Sequence, residues 1–401
     1  MATYSRAEAA KRSGLDPGYI DRLIELGIIT PGAGDELTKG DLRRALMAQT
    51  LENAGIELER LGAGIRDGHL TLGFLDSPTF ERFATLGDET FQGLSERTGL
   101  PLHLLVAIRQ ATGAATPDSH DRLREDELAI VPHVELQLAL GFRPVSIERW
   151  LRVVGESLRR AAETESDAWR SDLMEPMVAA GATVPELAAF SASEENEHLD
   201  RLTDQALLAL WHAQQVHSWT ANIIGGFEQA LTAAGMLTKR ASPPAICFFD
   251  IAGYTRLTYE RGDEAAAGLA AHLGRLVNRT SIEHGGRPVK WLGDGVMIHF
   301  REPGPGVMAA LEMVEGVRSA GLPPAHVGLH AGPVLFQEGD YFGQTVNIAS
   351  RIAEYARPGE VLVTQEVVDA SGGAGATFTE IGPVELKGMS GAIRLHAARP
   401  G

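Results

Sequence analysis

The chain has 401 residues, enough for two or three domains, and 44% hydrophobic with 22% charged residues is the balance of a globular protein rather than a disordered or fibrous one. No apolar run approaches the ~18–20 residues that span a bilayer, the first residues carry no apolar signal core, and a single cysteine, Cys247, allows no intrachain disulfide; a cytoplasmic protein is expected. The net charge of −17 falls as −13 over residues 1–240 and −4 over residues 241–401, which argues against nucleic acid or an anionic membrane surface as partner.

Residues 5–29 read as two short helices broken at Asp16-Pro17-Gly18. A turn-rich, wing-like stretch, PGAGDELTKGD, follows, and Leu42–Ala54 reads as a third helix. Residues 1–50 thus resemble the start of a MerR-type winged helix-turn-helix, although seven Lys/Arg against seven Asp/Glu disfavour a DNA-facing role. Residues 51–236 are helical in periodicity and poor in strand signals, with helix starts expected at Ser77-Pro78, at Thr98-Gly99-Leu100-Pro101 and at Ser146. The longest pattern runs from Leu202 to Ala234. Leu208, Trp211, Trp219, Ile223, Phe227 and Leu231 make one apolar stripe on it, read as a core or dimer-interface face. Gly225-Gly226 is expected to interrupt that helix. Residues 237–243 read as a linker.

From residue 244 to 401 the texture changes. AICFFDIAG is a buried-strand run, and further strands are expected at Pro288–Leu292, Val296–Phe300, His326–Ala331 and Val361–Thr364, with helices between them. Alternating strands and helices indicate a layered domain. Asp250 ends the first strand before a glycine turn and a helix start, a place where a carboxylate can hold a hard cation and free amides can cradle phosphate. Asp294 lies in an Asp-Gly hairpin signal between two apolar runs. Taken singly, each acid is most simply a helix cap or a turn.

Four pieces in order change that reading: FFDIAGYT at 248–255, KWLGDGVM at 290–297, GLHAGPV at 328–334 and DYFGQTVNIASR at 340–351. Together they resemble the catalytic domain of class III adenylate/guanylate cyclases, from about Pro244 to Arg399, with a weaker ELKG at Glu385–Gly388. The resemblance implies an α+β fold, a ferredoxin-like βαββαβ core with extra strands, preceded here by an all-α regulatory domain with the winged-helix-like start. It implies that Asp250, Asp294 and the Ile251 carbonyl bind two Mg²⁺ or Mn²⁺ ions. Gly253, Tyr254 and Thr255 would lie at the phosphates, with Lys387 in looser correspondence. Lys290 and Asp340 would read the purine, Asn347 would position the ribose, and Arg351 would stabilise the transition state.

The implied activity is conversion of ATP to cyclic AMP and pyrophosphate in a homodimer whose sites draw on both chains, with Val334–Gly339 as a dimerisation arm. A guanylate cyclase or a catalytically silent nucleotide-binding module are the alternatives. A carboxylate that accepts and an ammonium that donates complement adenine's amino group and ring nitrogen, which favours ATP over GTP. His330 reads as a packing or hydrogen-bonding residue rather than an acid–base one. Residues 98–163 are similar to the helical regulatory domain of mycobacterial pH-sensing adenylate cyclases. That likeness implies autoinhibition with a proton or lipid as input, and seven of the 13 histidines precede residue 240.

Overall fold

The computed structural model describes residues 3–76, 80, 85–237, 242–253, 259, 262–372 and 375–401, leaving aside the side chains of residues 221 and 263–267. The chain divides into two compact units, Met1–Gly226 and Phe227–Gly401.

The first unit opens with a ladder between β1 (Thr3–Tyr4) and β2 (Leu37–Thr38) that encloses α1 (Arg6–Ser13) and α2 (Pro17–Glu25). Ser5 and Asp16 cap the two helices through their side-chain oxygens. Helix α3 (Lys39–Asn53) starts three residues before the expected Leu42. A capping box between Thr38 and Asp41 draws the intervening residues into the first turn in spite of Gly40. After α4 (Leu58–Arg66) the expected helix start at Ser77-Pro78 lies outside the described residues.

Strands β3 (Leu86–Thr90) and β4 (Arg122–Arg124) then pair antiparallel, against the strand-poor reading of this region. Their pairing flanks α5 (Phe91–Thr98) and α6 (Leu102–Ala111) and leads into α7 (Glu125–Ala139). Buried Arg109 explains the ladder: it donates to both oxygens of buried Glu127, at 2.6 and 2.8 Å, and to the Arg122 carbonyl at 2.8 Å. Helix α8 (Pro144–Ala168) begins at Pro144 rather than Ser146, because proline's fixed φ and missing N–H suit a first turn.

After α9 (Glu175–Ala179) and α10 (Val184–Ser191), α11 (Glu194–Ala233) runs unbroken through Gly225-Gly226. Each glycine costs a helix about 1 kcal/mol, which the 40-residue backbone ladder outweighs. The cut between the two units nonetheless falls between Gly226 and Phe227. All six stripe residues are exposed, so the stripe is not part of this chain's core.

In the second unit β5 (Ala245–Ile251), α12 (Asp263–Glu283), β6 (Gly286–Leu292), β7 (Gly295–Phe300), α13 (Pro303–Ser319) and β8 (Ala325–Ala331) follow the βαββαβ order. The hairpin of β9 (Leu335–Gln337) and β10 (Asp340–Phe342) comes next, then α14 (Gln344–Tyr355), β11 (Val361–Thr364) and α15 (Gln365–Ser371). Strands β12 (Ala376–Glu385) and β13 (Ala392–Pro400), for which no sequence signal was read, complete a sheet ordered β12-β13-β11-β8-β5-β7-β6. Within it β8-β5-β7-β6 are all antiparallel neighbours, which is the ferredoxin-like core.

Alternation on β5 divides the two faces. Cys247, Phe249 and Ile251 join Val307, Met313 and Val317 of α13 in the main core, while Ile246 packs with Ala349 of α14 on the other face. Helix α14 lies so close to β8 that a Cβ on Gly328 would stand 2.2 Å from the Ala353 nitrogen and 2.6 Å from the Ala349 oxygen. Both obstacles are backbone, so neither can swing aside. Gly328→Ala is therefore expected to lift α14, lower stability by about 1–3 kcal/mol and depress any activity that depends on α14 side chains. Thermal unfolding measured beside turnover checks both effects.

Candidate active site

Strand pairing assembles the first pair of acids. Asp250, the sixth residue of β5, stands opposite Gly295, and Leu292 pairs with Gly295 across the hairpin whose two-residue turn is Gly293-Asp294. Gly293 takes φ +70°, as such a turn requires. The approach is tight: a Cβ on Gly295 would meet Asp250 Oδ1 at 2.9 Å.

Burial pushes the Asp250 carboxyl above its ordinary value, and the negative charge of Asp294 pushes it further. His326 and a hydrogen bond from the Ile251 N–H, 3.1 Å to Oδ1, act in the opposite direction. A half-buried acid whose proton affinity is raised by a second acid beside it suits a cation between the two. His326 sits opposite Asp250 on β8, its Nε2 3.7 Å from Asp250 Oδ2. Its Nδ1 is 2.9 Å from the Ala353 carbonyl, an acceptor only, so Nδ1 carries the proton. No local sequence signal marks His326; only the β5–β8 register brings it here.

A second pair meets through the β9–β10 hairpin. Lys290 on β6 donates to Asp340 Oδ2 at the start of β10, and the Tyr341 N–H donates to Asp340 Oδ1 at 2.8 Å. The ring of Tyr341 is stacked on His299 of β7, centroids 4.3 Å apart and planes 4° from parallel. Asn347 and Arg351 lie one turn apart on α14 and so share a face. Asn347 is exposed, and Arg351 Nη1 is held 2.6 Å from both oxygens of Glu354. Among the described residues no hydrogen bond or ion pair joins Asp250 or Asp294 to Lys290, Asn347 or Arg351.

Of the remaining expected positions, Gly253 is an exposed turn residue at φ +80°. Tyr254 and Thr255 lie outside the described residues. Lys387 is exposed in the turn between β12 and β13, at the sheet edge opposite β6. His330 is buried with Nδ1 2.9 Å from Thr364 Oγ1, which accords with a hydrogen-bonding role.

The geometry has a counterpart in sequence comparison. The family model described as the adenylate and guanylate cyclase catalytic domain matches residues 237–397, and that of the adenylate cyclase regulatory domain matches residues 34–206. A pH-sensitive adenylate cyclase of Mycobacterium tuberculosis is 30% identical over 323 residues, 77% of either chain. The chain belongs to the class III adenylate and guanylate cyclase family. An adenylate cyclase of Streptomyces coelicolor is also 30% identical, over 53% of this chain and 52% of its own. Among solved structures, the adenylyl cyclase CyaB of P. aeruginosa is similar at 22% identity with a TM-score of 0.35, over 39% of this chain and 94% of that one.

In the cyclase unit, burial first and Arg287 second push the His299 imidazole down to about 4 from an ordinary 6.5. An unfolded chain takes up that proton near pH 6.5 and the folded chain only near 4. This contribution is therefore complete above about pH 6.5 and is lost as pH falls toward 4. His299→Gln is expected to flatten the dependence of melting temperature on pH across that window, as read by thermal unfolding at a series of pH values.

Proposed function

We propose that this chain is an adenylate cyclase that forms 3′,5′-cyclic AMP and pyrophosphate from ATP as a homodimer, with residues 244–401 catalytic, 237–243 a linker, 51–236 a helical regulatory domain and 1–50 a winged-helix-like start. The observation that carries the reading is the direct Lys290–Asp340 contact. It places one donor and one acceptor side by side, the order that adenine's amino group and ring nitrogen need. Guanine offers the reverse order and would leave buried groups unpaired at about 1–3 kcal/mol each.

Asp250 and Asp294 with the Ile251 carbonyl fit Mg²⁺ or Mn²⁺, in pairs by analogy with two-metal sites. A hard cation held there would take its other oxygens from phosphates and water. Bound there, the ions would lower the pKa of the ribose 3′-hydroxyl and neutralise the pyrophosphate.

The chain's own groups do the rest. Asn347 holds the ribose so that its 3′-oxygen lies in line with the α-phosphorus. The new oxygen–phosphorus bond forms as the bond to the bridging oxygen of the β-phosphate breaks, and the hydroxyl proton leaves to water. Arg351 meets the charge that builds on the α-phosphate. Its hold on Glu354 is an exposed ion pair of about 0–1 kcal/mol and yields readily to phosphate. Gly253 and Lys387 are proposed at the phosphates, alongside Tyr254 and Thr255.

Two observations support the homodimer. Among the described residues no hydrogen bond or ion pair joins the acids to the Lys290/Asp340/Asn347/Arg351 set, and α11 exposes a long apolar stripe. For regulation, the first unit holds a cavity of about 990 Å³ lined by Trp150, Leu151, Val154, Leu158, Arg159 and Arg170. Its walls are largely apolar, and its two arginines are paired with Glu163 and Asp167; a lipid or proton input is carried over from the regulatory-domain resemblance alone. Among the described residues no helix is long and apolar enough to cross a membrane.

Cyclic nucleotide formation from ATP and from GTP with Mn²⁺ tests the proposal. Asp294→Ala is expected to lose more than about a hundredfold in rate, and Arg351→Ala about 10²–10³-fold. Wild-type turnover equal to that of Asp294→Ala would defeat the enzyme reading and leave a nucleotide-binding module. Deleting residues 1–236 is expected to raise basal activity, and unchanged turnover in a dimeric truncated protein would sink autoinhibition.

A further inference from the structure

In a regular strand, residues three apart point to opposite faces. Arg287 and Lys290 on β6 do not follow that rule. Arg287 pairs with His299 and Pro288 with Ile298, yet Lys290 pairs with Met297, so Val289 is an extra residue that bulges the strand. His299 and Met297 are two apart on β7 and share a face. The bulge thus turns Lys290 onto the face that already carries His299.

The β9–β10 hairpin covers this face. Glu338 and Gly339, at φ +56° and +79°, close it in a two-residue turn. Tyr341 stacks flat on His299, Phe336 lies 5.0 Å from Tyr341, and the Arg287 guanidinium stands 5.6 and 5.9 Å from those two rings. On either side of Tyr341 are the two residues that touch Lys290: Asp340 by hydrogen bond and Phe342 with its ring 5.9 Å from Nζ. The Tyr341 N–H also occupies Asp340 Oδ1, which leaves Oδ2 for the lysine.

We propose that Tyr341 and His299 are positioning residues that set the purine preference of the site: their stack pins β10 to β7 and so fixes the spacing and orientation of Asp340 against Lys290. Neither ring needs to touch the nucleotide. The burial that keeps the His299 imidazole neutral at pH 7 also keeps the stack free of a charge that would have to be hydrated. The proposal rests on Lys290 and Asp340 being the purine-reading pair.

The test uses the full-length chain, with initial rates over a concentration series of ATP and of GTP. Tyr341→Ala is expected to raise KM for ATP about tenfold, to change kcat by less than about threefold, and to lower the ATP-to-GTP ratio of kcat/KM about tenfold. Tyr341→Phe, which keeps the ring, is expected to stay within about threefold of wild type. If Tyr341→Ala does not fold by circular dichroism, Tyr341→Leu keeps the apolar bulk without the flat ring and is held to the same criteria. A folded variant that loses kcat at unchanged KM and unchanged ratio overturns the proposal, because the hairpin then acts only through the fold or assembly. Lys290→Ala runs in parallel: an unchanged ATP-to-GTP ratio there defeats the purine-pair reading itself, whereas a collapsed ratio there with an unchanged one in Tyr341→Ala defeats the positioning role alone.

Discussion

Strand β5 is paired on both sides, to β7 and to β8, and the register of those two ladders decides where the acidic groups of the cyclase unit stand. A slip of one residue would exchange the two faces of the strand, sending Phe249 and Ile251 out of the main core and Asp250 into it. Burial of the odd-numbered residues of β5 therefore enforces the placement of Asp250 as a by-product of hydrophobic packing. The same register brings Gly295 beside Asp250 and His326 across from it. The mutual repulsion of Asp250 and Asp294 is thus built in by the sheet, and the proposed metal ions answer a charge problem that the fold creates.

The other constraint is the closeness of α14 to the sheet. Gly328 has no side chain, so the helix backbone rests directly on β8, and the positions of Asn347 and Arg351 follow from that contact rather than from their own bonding. The β9–β10 hairpin is held differently, by ring stacking and by an ion pair rather than by strand pairing to the sheet. These two means of attachment separate the proposed roles: α14 carries the ribose and transition-state residues on a rigid mount, and the hairpin carries half of the purine-reading pair on an aromatic one.

The first unit has apolar cores of its own and, within the same region as the second of them, a buried ion pair of Arg109 with Glu127. Such a pair is costly to desolvate and is stable here because each member has further hydrogen bonds, Arg109 to the Arg122 carbonyl and Glu127 from the Arg124 N–H. Helix α11 contrasts with this core. Its apolar residues face outward along a continuous 40-residue element, so the chain alone leaves a large hydrophobic surface uncovered, which is the ordinary mark of an interaction surface.

Much of the cyclase unit was legible because strong local signals carried it: a continuous apolar run for β5, an Asp-Gly that marks the β6–β7 hairpin although the turn itself is Gly293-Asp294, and motifs whose order points to one family. The sequence also allowed the chemistry of each acid, lysine and arginine to be named, since donor and acceptor patterns are properties of the side chain. Tertiary structure decided what depends on pairing across long separations in the chain. His326 meets Asp250, Tyr341 stacks on His299, and a bulge at Val289 turns Lys290 onto the right face; none of these has a local signature. The exposure of the α11 stripe and the continuity of that helix through Gly225-Gly226 belong to the same class. Periodicity reports that a face is apolar, but only the assembled fold determines whether anything in the chain covers it.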